Sequence, residues 1–191
     1  MTSMDLPPKA SPRMIGHNSS EKNLARMIRV DHAGEHGAVQ IYRGQLAVLG
    51  HMASARTIRH MEEQEQAHLK TFDALMVEHG VRPTVFSPVW HVAGFALGAV
   101  TALMGEKAAM ACTAAVEEVI DQHYASQVAA LEEDGPPAAA LKETIEAFRA
   151  DEIEHRDTAI AHGAEQTPGY DLLSGAIKAG CRLAIRLSER F

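Results

Sequence analysis

The sequence predicts an all-α protein: a bundle of four long helices, an apolar crossover helix between the second and third, and a C-terminal amphipathic helix. Three observations predict it. Apolar residues recur at steps of three and four over long stretches, the spacing that gathers them on one helical face. Alternating apolar and polar residues, the mark of a half-buried strand, are scarce. Stop signals separate the periodic stretches: Gly50, Gly80 followed by Pro83, and "EEDGPP" from Glu132 to Pro137.

The first twenty residues, "MTSMDLPPKASPRMIGHNSS", are polar and rich in Pro and Ser. They have neither the apolar run of a secretory signal nor the arginine-rich, acid-poor character of a transit peptide. They read as a disordered tail before a single domain over 21–191. The first helix is expected over Glu21–Leu49, with Ser19 or Ser20 as its N-cap. Its stripe is Leu24, Ile28, Asp31, Glu35, Val39, Tyr42, Leu46 and Leu49. The second spans Ser54–His79, with the stripe Ile58, Met61, Glu65, His68, Phe72 and Met76. The third long helix covers Glu106–Leu131, with Met110, Thr113, Glu117, Ile120, Tyr124, Val128 and Leu131. The fourth covers Ala138–His162, with Leu141, Ile145, Phe148, Glu152, His155 and Ala159.

The chain of 191 residues is 46% apolar and 23% charged, which suits one soluble-type domain with a sizeable core. A net charge of −7 argues against a general nucleic-acid binder, which needs a basic surface. Cys112 and Cys181 lie in different segments without a CxxC, so neither a disulfide framework nor a zinc site follows. A reducing compartment fits this usage.

Each apolar stripe is interrupted by an acid. The first helix contributes Glu35, the second Glu65 and His68 in "EQAH", the third Glu117, the fourth Glu152 and His155 in "EIEH". Burying one unpaired carboxylate costs several kcal/mol, and four together require neutralisation. No Lys or Arg lies on these seams; two divalent cations would balance the four charges. Glu and His at i and i+3 share a helix side, and mostly oxygen donors with some nitrogen suit iron or manganese. One Glu from each of two helices, with Glu-x-x-His from each of two others, is the donor pattern of di-metal carboxylate bundles. A single ExxH is common on solvated helices; two copies, each on an apolar stripe and each preceded by a helix with a seam Glu, are not.

Neighbouring acids Glu62, Glu63, Glu118 and Glu154 are expected in solvent. Glu117 is chosen over Glu118 because Tyr124 lies two turns along the same face. Metal-bound imidazoles need an outer acceptor. Asp31, one turn before Glu35, is the candidate, with a bond to Arg29 or water as its ordinary alternative. Tyr124 and His123 are the candidates for catalytic groups beyond the ligands; simple packing for Tyr124 and a polar-face histidine for His123 stand beside this. Gly34 and Gly37 flank Glu35 and point to close approach by a helix or ligand.

The connection from Thr84 to Met104 contains no Asp, Glu, Lys or Arg. It is long enough to span a bilayer, but a span would split the metal site across the membrane. A helix packed on the bundle, facing lipid or an apolar substrate, is expected instead, with "GFALG" as a tight-packing motif. The last helix carries Leu172, Leu173, Ala176, Ile177, Leu183, Ala184 and Leu187 on one side. Lys178, Arg182, Arg186 and Arg190 lie on the other. That suits an anionic membrane surface or a core-packed helix with a solvated basic face.

Three stretches, "IRVDHAGEHGAVQIYRGQLAVLG", "RPTVFSPVWHVAGFALGAVTALMGEKAAMACTAAVEE" and "AGCRLAIRLSERF", closely resemble the demethoxyubiquinone hydroxylases of ubiquinone biosynthesis. The resemblance runs from Met27 to Phe191 and includes segments without metal donors. It implies a ferritin-like fold and a di-iron monooxygenase with Glu35, Glu65, His68, Glu117, Glu152 and His155 as ligands. The implied reaction hydroxylates a polyprenylated methoxy-methyl-benzoquinol with O2 at two irons, using electrons from NADH or the quinol itself. The resemblance further implies peripheral attachment at the cytoplasmic face of a bacterial inner membrane, and a lipid-binding partner protein. A homo-oligomer is compatible with it. A ferritin- or rubrerythrin-like iron store or peroxide scavenger is the alternative. It would need a hollow oligomer or a four-cysteine module, and two isolated cysteines exclude the latter.

Overall fold

The computed structural model describes residues 15–134 and 138–191, and every regular element among them is helical. The helices are α1 (Ile15–Leu49), α2 (Ala55–His79), α3 (Ser87–Leu103), α4 (Glu106–Asp134), α5 (Ala139–Ala161) and α6 (Tyr170–Arg190). A 3-10 turn, Ala164–Gln166, links α5 to α6. The four long helices are α1, α2, α4 and α5, with α3 as the crossover. The expected ferritin-like architecture is borne out.

α1 begins at Ile15, earlier than Glu21, so Ser19 and Ser20 lie inside the helix and do not cap it. Of the tail expected over 1–20, residues 1–14 lie outside the described residues. α2 stops where expected: Gly80 adopts φ +63, and its N–H reaches the carbonyls of Met76 and Val77.

α1 packs against α2 and α3, and α4 against α5 and α6. The α1–α3 crossing is very close. A Cβ on Gly98 would lie 1.9 Å from the Ile41 carbonyl oxygen, and one on Gly94 would lie 2.9 Å from that of Gly37. The GxxxG of α3 therefore brings two backbones together, as its spacing predicts. The close approach expected at Gly37 is real, and α3 makes it. A side chain on Gly34 would meet nothing within 4 Å.

Two apolar layers fill the bundle. One contains Tyr42, Ile58, Met61 and Met110; the other contains Ile28, Phe72, Tyr124 and Ile145. The interrupting acids of all four seams lie between them.

Candidate metal centre

The four helices bring all six predicted donors together in the interior. Glu35, Glu65, Glu117, Glu152, His68 and His155 are each 2% exposed or less. His68 Nδ1 lies 3.4 Å from Glu152 Oε1 and 3.5 Å from Glu35 Oε2. His155 Nδ1 lies 3.0 Å from Glu65 Oε1 and 3.7 Å from Glu152 Oε2. The antiparallel packing of α2 on α5 places each histidine against the other helix's glutamate.

The donors form two overlapping groups. Glu35, Glu65, His68 and Glu152 bring one ligand atom each within 4.8 Å of one another, and so do Glu65, Glu117, Glu152 and His155. Glu65 and Glu152 belong to both groups and face both positions; Glu35 and Glu117 belong to one each. Two ions sharing Glu65 and Glu152 fit this arrangement.

The hydrogen bonding fits the same ions. Glu35 Oε2, Glu117 Oε2, both oxygens of Glu65 and Glu152, and the Nδ1 atoms of His68 and His155 have no hydrogen-bond partner. Buried polar atoms are ordinarily satisfied, and orphans clustered around one space are compatible with bound cations.

The opposite edges of the donors are held. Tyr42 Oη donates to Glu117 Oε1 at 2.6 Å, and Tyr124 Oη donates to Glu35 Oε1. Tyr124 therefore reaches the site, as one sequence reading held. His68 Nε2 lies 2.9 Å from Asp151 Oδ2, and His155 Nε2 lies 3.1 Å from Gln64 Oε1. A proton on each Nε2 leaves each Nδ1 with its lone pair toward the centre. Phe148 stacks on the His68 ring with centroids 3.9 Å apart.

Asp31 meets neither His68 nor His155 in these bonds. Gln127 Nε2 donates to its Oδ1 at 2.7 Å, and His123 Nε2 lies 3.4 Å from that oxygen. The true acceptors, Asp151 and Gln64, immediately precede Glu152 and Glu65 in sequence. An acceptor directly before each ExxH was the available signal. His123 engages Asp31 and Gln127 and touches none of the six donors in these bonds. Arg29 instead donates to the Arg82 carbonyl.

Without cations, protons must carry the neutralisation. Burial, then the Glu152 charge, pushes the Glu65 and Glu117 carboxyls far above the carboxylate range. For Glu152 burial is the largest influence and raises the pKa, but the close approach and charge of His155 and His68 together bring it down to about 2. Burial opposes charge on His68 as well, yet Glu152 and Glu35 together raise it to about 11. Burial also raises the Tyr42 and Tyr124 phenols, which stay protonated donors. Metal ions would displace these protons.

The outlying acids lie where expected or in surface pairs: Glu63 and Glu154 are exposed, Glu62 pairs with Arg43, and Glu118 with Lys178. No described helix is long and apolar enough to cross a membrane. The outer face of α3 nonetheless exposes Val89, Val92, Phe95, Val100 and Leu103. Beside it, α6 buries Ser174, Ile177 and Ser188 and exposes Leu172 and Leu183. Its basic side is partly engaged, since Lys178 meets Glu118 at 2.6 Å and Arg182 meets Gln122 at 3.3 Å.

A family model described as ubiquinone biosynthesis protein COQ7 matches residues 22–188. The 3-demethoxyubiquinol 3-hydroxylase of Rhodospirillum rubrum is 57% identical over 182 residues, covering 95% of this chain and 84% of that protein. The human mitochondrial protein named NADPH-dependent 3-demethoxyubiquinone 3-hydroxylase is 53% identical, covering 94% of this chain and 83% of its own length. The 5-demethoxyubiquinone hydroxylase of Saccharomyces cerevisiae mitochondria is 42% identical, covering 87% and 78% respectively.

Proposed function

The chain belongs to the COQ7 family of ubiquinone-biosynthesis proteins, and from that premise we propose how its buried centre works. The protein is an oxidoreductase of ubiquinone biosynthesis that hydroxylates demethoxyubiquinol. The observation that supports a di-iron version of this reaction is the cluster of orphaned donor atoms between two apolar layers. Glu35 and His68 would hold one iron and Glu117 and His155 the other, with Glu65 and Glu152 shared. Ferrous iron held there would supply oxygen activation, so that one atom of O2 would be inserted into the ring C–H bond and the other would leave as water with two electrons and two protons.

The chain's own residues do the rest. Asp151 and Gln64 fix the proton on the far nitrogen of each imidazole. Tyr42 and Tyr124 pin one oxygen of Glu117 and Glu35, leaving the other directed inward. Burial excludes water, so oxidising equivalents meet the ring rather than solvent. The relative in human mitochondria is named NADPH-dependent, and a reduced nicotinamide, NADH or NADPH, is the donor in this reading.

The substrate is a benzoquinol with a polyprenyl tail, and the protein attaches peripherally to the membrane that holds it. The exposed apolar face of α3, free of charged residues from Thr84 to Met104, supports this, as do the exposed Leu172 and Leu183 of α6. The test is iron bound per chain after anaerobic reconstitution, with quinol hydroxylation assayed in parallel. About two irons in the wild type, lost with turnover in Glu152→Ala while helicity is kept, is the expected result. Full turnover by that variant refutes the mechanism; many irons per chain would indicate storage.

A further inference from the structure

We propose that His36 of α1 and His91 of α3 form a second metal site, at the surface, that takes a late transition cation such as Zn2+. The site lies apart from the buried centre: neither ring bonds to any of the six donors there.

The helix crossing places the two histidines together. From Thr84 to Met104, His91 is the only ionisable side chain. Three residues on, Gly94 meets α1 backbone to backbone, where a Cβ would lie 2.9 Å from the Gly37 carbonyl oxygen. His36 immediately precedes Gly37, so this contact sets the two rings side by side. Their centroids are 5.5 Å apart and their planes are tilted by 34°. His32, one turn before His36 on α1, continues the row, with centroids 6.5 Å apart and planes within 15° of parallel.

The spacing fits an ion. A zinc–imidazole bond of about 2.0–2.1 Å puts the ring centroid roughly 3.2 Å from the metal, so two rings on one tetrahedral ion stand about 5 Å apart. His36 and His91 meet that spacing with both helices where they are, and water completes the coordination. No hydrogen bond engages either ring among the described residues. His36 is half-buried and His91 exposed, so an ion reaches them from solvent. His32 is a third donor in reserve. Its Nε2 lies 3.0 Å from Asp73 Oδ1 and its Nδ1 has no hydrogen-bond partner, the arrangement that Asp151 gives His68. A turn of its side chain brings it to the ion. Arg43, two turns along α1 from His36, has its charge met by Glu62 at 3.1 Å. The donor chemistry separates the two sites: the buried centre is mostly carboxylate oxygen, whereas imidazole nitrogen alone favours zinc, nickel or copper over magnesium or calcium. An ion held here ties α3 to α1 beside the glycine contacts that seat it.

The experiment titrates the full-length, iron-loaded chain with Zn2+ by calorimetry and counts both metals after gel filtration. The wild type should take up about one zinc per chain beyond its iron, release no iron, and melt at a higher temperature. His36→Gln and His91→Gln should each weaken that uptake by about tenfold or more and remove most of the thermal shift. Both variants should keep the iron content, the helicity and the zinc-free melting temperature of the wild type. His32→Gln should weaken uptake less. Mg2+ should produce neither uptake nor shift. No zinc uptake by the wild type, or uptake unchanged in His36→Gln or in His91→Gln, overturns the site. Zinc that enters only as iron leaves overturns it too, since the ion would then occupy the buried centre. Mg2+ binding as tight as Zn2+ overturns the imidazole donors.

Discussion

Replacing Asp151 with alanine should weaken one metal position and spare the other. Asp151 Oδ2 lies 2.9 Å from His68 Nε2 and touches none of the donor atoms around His155 in the bonds described. Metal-free His68 carries a proton on each ring nitrogen, and metal must displace the one on Nδ1; with the acceptor gone, the remaining proton is no longer held on Nε2 and competes for Nδ1. That atom lies 3.4 Å from Glu152 and 3.5 Å from Glu35, and a proton there donates to both carboxylates and blocks the lone pair that a metal needs. A hydrogen bond to a charged acceptor contributes about 1.5–3 kcal/mol. Asp151 is 37% exposed, so solvent screening pulls the figure toward the lower end. About 1.4–2.7 kcal/mol corresponds to a 10- to 100-fold loss of affinity, the usual consequence of removing such a partner. The assay is anaerobic titration with Co(II), read by its ligand-field absorption, followed by Fe(II) competition. The wild type should fill two positions with similar affinity; Asp151→Ala should fill one normally and one weakly. Gln64→Leu should produce the mirror result through His155, with a smaller loss because its acceptor is uncharged. Equal weakening of both positions in either variant, or none, would refute the reasoning that each imidazole is set by its own cross-helix partner.

Two other perturbations probe the packing around the centre. Burial raises the Asp31 pKa from 3.8 to about 6, against the opposing pull of His123 and Gln127. The folded state thus holds its proton more tightly than the unfolded chain, and stability falls as pH rises between these values, the loss being complete above about 6. Asp31→Asn, which keeps the oxygen that Gln127 donates to, should stabilise the metal-free protein at pH 7–8 by up to about 3 kcal/mol. Below about pH 4 it should change nothing; urea melts across this range give the answer, and a stabilisation that persists at acid pH contradicts the assignment. Gly98→Ala would place a Cβ 1.9 Å from the Ile41 carbonyl oxygen. An ordinary C···O contact is about 3.3 Å, so α3 must retreat by roughly 1.4 Å, at a cost of about 1–3 kcal/mol or more. At about 2–4 °C per kcal/mol for a domain of this size, the melting temperature should drop measurably, and an unchanged one would mean that the crossing is looser than described.

The six candidate donors were visible because an acid or histidine on a helix seam must interrupt an apolar stripe, and the interruption keeps the helical period. The crossover was legible for a similar reason: twenty-one residues without a charge, from Thr84 to Met104, with glycines spaced for contact. The outer acceptors were not. Asp31 shares a stripe with Glu35, but a ligand histidine points its far nitrogen away from the centre, toward the neighbouring helix. The acceptor therefore comes from across the bundle, and one sequence stripe does not reveal it. The stripe of α6 was legible, but not what covers it: Ile177 is buried with Ser174 and Ser188, Leu172 and Leu183 are exposed, and Lys178 and Arg182 reach back to α4. Ser188 accepts from Trp90 Nε1 at 3.0 Å, a partner no periodicity could supply. The start of α1 was placed late because Ser19 and Ser20 resemble a cap, and propensity alone does not say that a helix runs through them.

The outer bonds give the loose repeat between the two halves of the chain a physical meaning. Tyr42 follows Glu35 by seven residues and holds Glu117; Tyr124 follows Glu117 by seven and holds Glu35. Gln64, next to Glu65, holds the histidine of α5, and Asp151, next to Glu152, holds the histidine of α2. Gln45 reaches Thr113, one turn before Glu117, and Gln127 reaches Asp31, one turn before Glu35. In each pair the residue sits at the same place in its own half and acts on the other half. α1 with α2 therefore does not contain a finished candidate metal position, and neither does α4 with α5. Each half would carry the donors for one ion and the positioning groups for the other. A crossover that passed through a membrane would separate every one of these pairs. The glycine contacts that seat α3 along α1 keep the halves on one side, with their orphaned donors facing the same space. The exchange fails to be symmetric at one point: Asp31, ionisable and met by His123, stands where the other half has the neutral Thr113. Charge in the outer layer is thereby concentrated beside Glu35 rather than Glu117, so two ions bound here would meet equivalent donors in unequal fields.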